Sequence, residues 1–203
     1  MKGFTIGIGQ PYNRWAKFAA QRMREFTGLE CFVLDGSIGA SNLEDIWMAR
    51  YRLFDFCNDN DILYFDADAI CCKPWHPQDF TNGAFCAVLD NPTGDWLLKR
   101  IKELGLRIES YVNSGLWIAN RKNHRDFFKT ILNRYKSYTK KVGISIRQRD
   151  SFITFDQDIL NHFLDELGIE VRILPDRFNS KRDGAIVRHF LGKSQHKLLG
   201  SII

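Results

Sequence analysis

The chain has 203 residues, 44% hydrophobic and 26% charged, a balance that suits one globular domain (residues 1–203) with a sizeable core and excludes disorder. A formal charge of +5 fits anionic partners (a nucleotide diphosphate, a nucleic acid or an anionic membrane face) as well as a plain basic surface. The basic residues cluster late, in 121–125, 136–141 and 193–197, without forming an uninterrupted tract, and no nucleic-acid recognition motif accompanies them.

In chain order, Thr5-Ile6-Gly7-Ile8 reads as a buried first strand closed by Gly9 and Pro11. Residues 13–27 have helical periodicity, and Cys31–Leu34 is a second strand ended by Asp35-Gly36. Ser41-Asn42 precedes an amphipathic helix through Cys57. Ile62–Phe65 is a third strand that runs directly into Asp66; residues 84–89 and 115–119 are the next two. Helices are expected over 124–138 and 157–167, a mobile loop over 143–150, and final strands at Val171–Leu174 and Ile186–Phe190. Early strands alternating with helices predict an α/β domain with a Rossmann-like, mixed but largely parallel central sheet, whose ligands bind beyond the strand carboxyl ends.

The five cysteines are odd in number and lack a Cys-x-x-Cys pair, so they read as buried thiols in a reducing compartment. No run of about 18 apolar residues could cross a membrane and no secretory signal precedes the first strand. The expectation is a cytoplasmic chain, or a catalytic domain cut from something larger, for which peripheral membrane contact stays open.

Two carboxylates, Asp66 and Asp68, flank one small residue at the end of an apolar strand. Carboxylate oxygens suit a hard cation such as manganese or magnesium, shared with substrate phosphates. A lone Asp-x-Asp is also common in turns. Asn113-Ser114-Gly115 precedes another strand; Asn can serve sugar hydroxyls, or with Gly can simply make a turn. Asp156-Gln157-Asp158 opens the expected helix at 157, where one Asp would serve as a cap. His189 ends an apolar strand, and Lys193 and Lys197 follow as candidate phosphate-binding cations or a solvated tail. No phosphate loop, nucleophile elbow or zinc spacing occurs.

Taken in order, Asp61–Asp68, Tyr111–Gly115, Asp156–Asn161 and His189-Phe190-Leu191-Gly192 resemble the motifs of glycosyltransferase family 8, the group of glycogenin and bacterial lipopolysaccharide galactosyltransferases. The resemblance implies a GT-A-type nucleotide-diphospho-sugar transferase fold. It implies transfer of a hexose-type sugar from a UDP-sugar to a glycan or other hydroxyl acceptor, with retention. Asp66, Asp68 and His189 would bind manganese (or magnesium); Arg50 would lie near the donor; Asp90 and Asn113 would hold donor-sugar hydroxyls. Asp156, Gln157 and Asp158 would surround the anomeric carbon, and the loop from Ile8 through Gly9 to Tyr12 would receive uracil and ribose. The family continues His-Phe-x-Gly-x-x-Lys-Pro-Trp, whereas Gln195 takes the Lys place here and neither Pro nor Trp follows. An inverting transferase of the same fold and a non-catalytic nucleotide-sugar or glycan-binding module remain as alternatives.

Overall fold

The computed structural model describes residues 1–36, 39, 42–90, 94–143, 151–190 and 193–203, with backbone alone at 151–154 and 193–195. Eight strands and seven helices follow the order β1 (Lys2–Ile6), α1 (Tyr12–Thr27), β2 (Cys31–Leu34), α2 (Leu43–Met48), α3 (Leu53–Phe56), β3 (Asp61–Phe65), β4 (Ala69–Cys71), β5 (Phe85–Leu89), α4 (Asp95–Glu103), β6 (Val112–Asn120), α5 (Arg121–Val142), α6 (Ser151–Glu166), β7 (Val171–Leu174), β8 (Val187–His189) and α7 (Lys193–Ile202) among the described residues. The central sheet has the order β2-β1-β3-β6-β5-β7. Its strands run parallel except β6, which is antiparallel to both β3 and β5. A separate two-stranded ribbon pairs β4 with β8.

The near-continuous apolar runs of the central strands follow from burial on both faces. Alternation divides them: Ile62, Tyr64, Phe85, Trp117 and Ala119 face α5 and α6, while Leu63, Phe65, Cys86, Leu116 and Ile118 face α1 and the β4–β8 ribbon. On the first face, Tyr64 stacks on Trp117 (5.1 Å between centroids) and Trp117 tilts against Phe128 at the same separation. On the second, Ala16, Ala19 and Ala20 let α1 lie close to the sheet while Trp15 and Met23 fill the gaps. α1 ends because Gly28 adopts φ 71°, and Gly143 closes α5 in the same way.

Several boundaries differ from the sequence reading. β1 starts at Lys2 and stops at Ile6, before Gly7, where a Cβ would lie 2.5 Å from that of Ala16. The expected helix through Cys57 is two short helices joined by a 3-10 turn at Ala49–Arg52. β6 begins at Val112, so Asn113 and Gly115 lie within a strand rather than in a turn before it. α6 begins at Ser151, which places Asp156–Asp158 in its second turn and removes the capping role expected there. Residues Lys193–Ile202, read as a possible solvated tail, form a helix. Residues 144–150 of the expected loop lie outside the described residues. No helix among the described residues is long and apolar enough to cross a membrane.

Candidate active site

β3 carries Asp66 to the carboxyl edge of the sheet, where its N–H donates to the Gly115 carbonyl of β6 (2.8 Å). A tight turn then closes through Ala69 N–H to the Asp66 carbonyl (3.0 Å), so Asp66 and Asp68 project from one turn between β3 and β4. The β4–β8 ribbon pairs Ala69 with His189, and Phe190 N–H donates to the Asp68 carbonyl (2.9 Å). His189, distant in sequence, is thereby delivered to the same turn. Its Nε2 lies 3.1 Å from Asp68 Oδ1 and 3.7 Å from Asp66 Oδ2. One ligand atom from each of the three residues lies within 4.8 Å of the others.

Burial and neighbouring charges act against each other in this corner. Burial raises the Asp66 pKa; Arg50 and His189 oppose the rise, while Asp68 and Asp156 add to it. Burial also disfavours charge on Asp68, but His189 and His196 outweigh it and hold that carboxyl below its ordinary range. The His189 imidazole is raised: burial opposes its charge, and the Asp68 and Asp66 carboxylates overcome it. Two carboxylates and an imidazole at this spacing match the donor chemistry of a divalent cation such as manganese. Gly115 keeps the space open, since a Cβ there would lie 2.4 Å from His189 Cε1 and 2.8 Å from Asp66 Oδ2. The residues present therefore fit a metal ion.

Arg50 joins this corner to α6. The residue is 7% exposed, and its guanidinium reaches Asp156 Oδ2 through Nη1 (2.7 Å) and Asp66 Oδ1 through Nη2 (3.3 Å). It also donates from Nη1 to the Ser114 carbonyl (3.2 Å) and packs over the Tyr64 ring. The 3-10 turn at Ala49–Arg52 aims Arg50 inward.

On α6, Ser114 Oγ donates to Asp156 Oδ2 (2.6 Å). Gln157 accepts from Ser114 N–H (3.2 Å) and donates to Asp90 Oδ2 (2.7 Å) at the end of β5. Asp158 is fully buried; Arg100 Nε of α4 donates to its Oδ2 (2.7 Å) and the Tyr111 hydroxyl to its Oδ1 (2.6 Å). Asn161 accepts from Val112 N–H (2.7 Å) and donates to the Val112 carbonyl (2.8 Å). The β5–β6 register shifts between Ala87 and Leu89, and α6 side chains serve the backbone of β6 beside that irregularity. Asn113 Oδ1 accepts from Gly115 N–H (2.8 Å) and from Asn179 Nδ2 (2.6 Å).

The structure thus brings together Asp66, Asp68, His189, Arg50, Asp90, Asn113 and Asp156–Asp158. The first loop leads into α1: Gly9 has φ 75°, Ile8 is half-buried, and Tyr12 is exposed with its ring edge-on to Trp15 (5.3 Å). Lys197 is exposed on α7, whereas the Lys193 side chain and residues 191–192 lie outside the described residues. Among the close neighbours missed are Tyr64, whose hydroxyl donates to Asp66 Oδ1 (2.6 Å), and His196, whose Nε2 lies 2.8 Å from Asp68 Oδ2. The signal for His196 was its spacing with the buried Leu199 on one helical face, obscured by reading 193–197 only for its lysines.

No protein-family profile matches the sequence, and no curated protein matches it. Solved structures do. The galactosyltransferase LgtC, crystallised in complex with donor and acceptor sugar analogs, superposes with a TM-score of 0.66 over 99% of this chain and 96% of its own, at 16% identity. A glycosyltransferase involved in glycosylation of the major capsid of PBCV-1 gives 0.65 over 100% and 98%, at 11% identity. GlyE of Streptococcus pneumoniae gives 0.63 over 95% of this chain and 55% of its own, at 14% identity. The fold of this chain is the GT-A glycosyltransferase fold.

Proposed function

We propose that the chain is a glycosyltransferase that moves a hexose-type sugar from a UDP-sugar to a glycan or other hydroxyl acceptor, with residues 1–203 acting as one catalytic domain. The observation that carries this reading is the convergence of Asp66, Asp68 and His189 at the carboxyl edge of a sheet with the GT-A fold. Those three residues would hold the divalent cation, manganese or magnesium, which when bound neutralises charge on the departing diphosphate. Lys193 and Lys197, at the two ends of the segment Lys193-Ser194-Gln195-His196-Lys197, would add positive charge for the same phosphates.

Asp90 and Asn113 hold sugar hydroxyls in this scheme, with Gln157 fixing the Asp90 carboxylate through its 2.7 Å hydrogen bond. Ile8, Gly9 and Tyr12 receive the nucleoside. Asp156 keeps Arg50 against the Asp66 carboxylate. Retention allows a covalent intermediate on Asp158, Asp156 or Gln157, or attack by the acceptor on the leaving-group face; all three side chains are buried and already held by hydrogen bonds, which favours the second route. The acceptor oxygen bonds to the anomeric carbon as the bond to the diphosphate breaks, and its proton passes to the departing diphosphate oxygen. Configuration is retained.

Thermal unfolding with UDP, with and without manganese, tests the donor site. Saturation to about 100 times the dissociation constant adds roughly 2.7 kcal/mol. The expected rise needs both UDP and metal and disappears in Asp68→Asn. Absence of any rise with nucleotides would overturn the reading. Binding without turnover of any UDP-sugar would instead indicate a non-catalytic module, and inversion seen by NMR of an early product would reject the retaining route.

A further inference from the structure

Asp68 receives two imidazoles on its two oxygens. His189 Nε2 lies 3.1 Å from Oδ1, and His196 Nε2 lies 2.8 Å from Oδ2. The two histidines are not equivalent. His189 also faces Asp66 and belongs to the three-residue cluster, whereas His196 approaches Asp68 from α7 and lies outside it. The His196 ring packs on Trp15 of α1, 4.7 Å between centroids, and Trp15 is itself buried. One helical turn beyond His196, the fully buried Leu199 anchors α7. The imidazole is therefore fixed from two sides and aimed at one carboxylate oxygen.

A cation bound by His189 takes the lone pair of Nε2, so the hydrogen bond from His189 to Asp68 cannot survive loading. Among the described residues, His196 is then the remaining side-chain donor to the Asp68 carboxylate. An aspartate held at one oxygen presents the other in a fixed direction, and hydrogen-bond partners of this outer kind are worth about 10–100-fold in metal affinity. We propose that His196 is a positioning residue: by donating from Nε2 to Asp68 Oδ2 it turns Oδ1 toward the point shared by Asp66 and His189, and so sets the affinity of the site for a divalent cation. The inference rests on the divalent site proposed above. It assigns a task to the segment that departs from the family pattern, where Gln195 stands in the Lys place and His196 follows.

The test is a manganese titration in the presence of UDP, read as loss of the free-ion EPR signal, on wild type, His196→Ala, His196→Gln and Asp68→Asn, with the metal-free Tm of each. The Gln amide can reach Oδ2 much as Nε2 does. The expected result is saturable binding by wild type, a 10–100-fold weaker affinity in His196→Ala, and recovery of most of it in His196→Gln. Wild-type affinity in His196→Ala would overturn the proposal, leaving His196 as an anchor for α7. A loss that tracks a fall in metal-free Tm and is not recovered by Gln would overturn it too. No manganese binding by wild type would overturn the divalent site and this role together, an outcome seen in wild type rather than in the His196 variants.

Discussion

The two corners of the site, built around Asp66–Asp68 and around Asp156–Asp158, both bury carboxylates, but they settle the charge differently. On α6 each carboxylate has a guanidinium and a hydroxyl: Arg50 and Ser114 for Asp156, Arg100 and Tyr111 for Asp158. At the β3 turn, Asp66 accepts from the Tyr64 hydroxyl (2.6 Å) but shares Arg50 with Asp156, and among the described residues the side-chain partners of Asp68 are imidazoles. The first arrangement is closed and holds α6 against β6. In the second, one guanidinium serves two carboxylates and the other cationic partners are imidazoles, whose ring nitrogens can take a metal ion in place of a proton.

Removing a partner should therefore cost most on α6. Asp158→Ala takes away the carboxylate that neutralises the buried Arg100 end, an event worth about 3–5 kcal/mol. The expected fall in Tm is roughly 10 °C for a chain of this size, with the gain from UDP and manganese still present. A fall under about 2 °C would erase the distinction between the corners.

Gly115→Ala probes the open corner. The new Cβ meets His189 and Asp66, so the predicted cost is about 1–3 kcal/mol, together with loss of manganese binding. Retained manganese affinity would show that the cluster can shift to accommodate a methyl group.

A smaller stability effect is expected for Asp66→Asn. Burial and neighbouring carboxylates already disfavour the Asp66 charge, and Arg50 keeps Asp156, so the metal-free Tm should stay level or rise slightly. The manganese-dependent gain should vanish. A large fall in metal-free Tm would place Asp66 with the structural carboxylates.

The smallest effect concerns pH on the α6 side. His162, one turn beyond Asp158, stacks face to face on Tyr138 at 3.7 Å. Burial lowers its pKa; Glu166 and Asp165 oppose this, while Arg134 and Lys141 reinforce it. The folded state then binds fewer protons than the unfolded state, so the stability His162 contributes is present above about pH 6.5 and is lost as pH falls below that. His162→Gln should flatten the metal-free Tm against pH between about 5 and 7, and an unchanged slope would remove His162 from the account.

Asp66 was legible because an apolar β-branched and aromatic run stops at a carboxylate, a pattern set by local chemistry. Cys31–Leu34 and Val171–Leu174 were legible to the residue for the same reason, being short runs between turn signals. Asn113-Ser114-Gly115 was not, because Asn and Gly have turn chemistry. Only contact with α6 and Asn179 lets them continue a strand, through hydrogen bonds from residues far away in the chain. Asp156-Gln157-Asp158 looked like a helix start for its acidic residues, yet α6 begins five residues earlier and tertiary partners take up those side chains.

Periodicity and residue type are local properties, so the early alternation of strands and helices and the candidate residues could be read from the sequence, whereas β4, α4 and α7 went unread. Tertiary structure alone decided that β6 runs against its neighbours, that Arg50 spans two corners, and that His196 reaches Asp68. Those outcomes depend on which elements pack together, and the pairing of β4 with β8 joins residues more than a hundred positions apart.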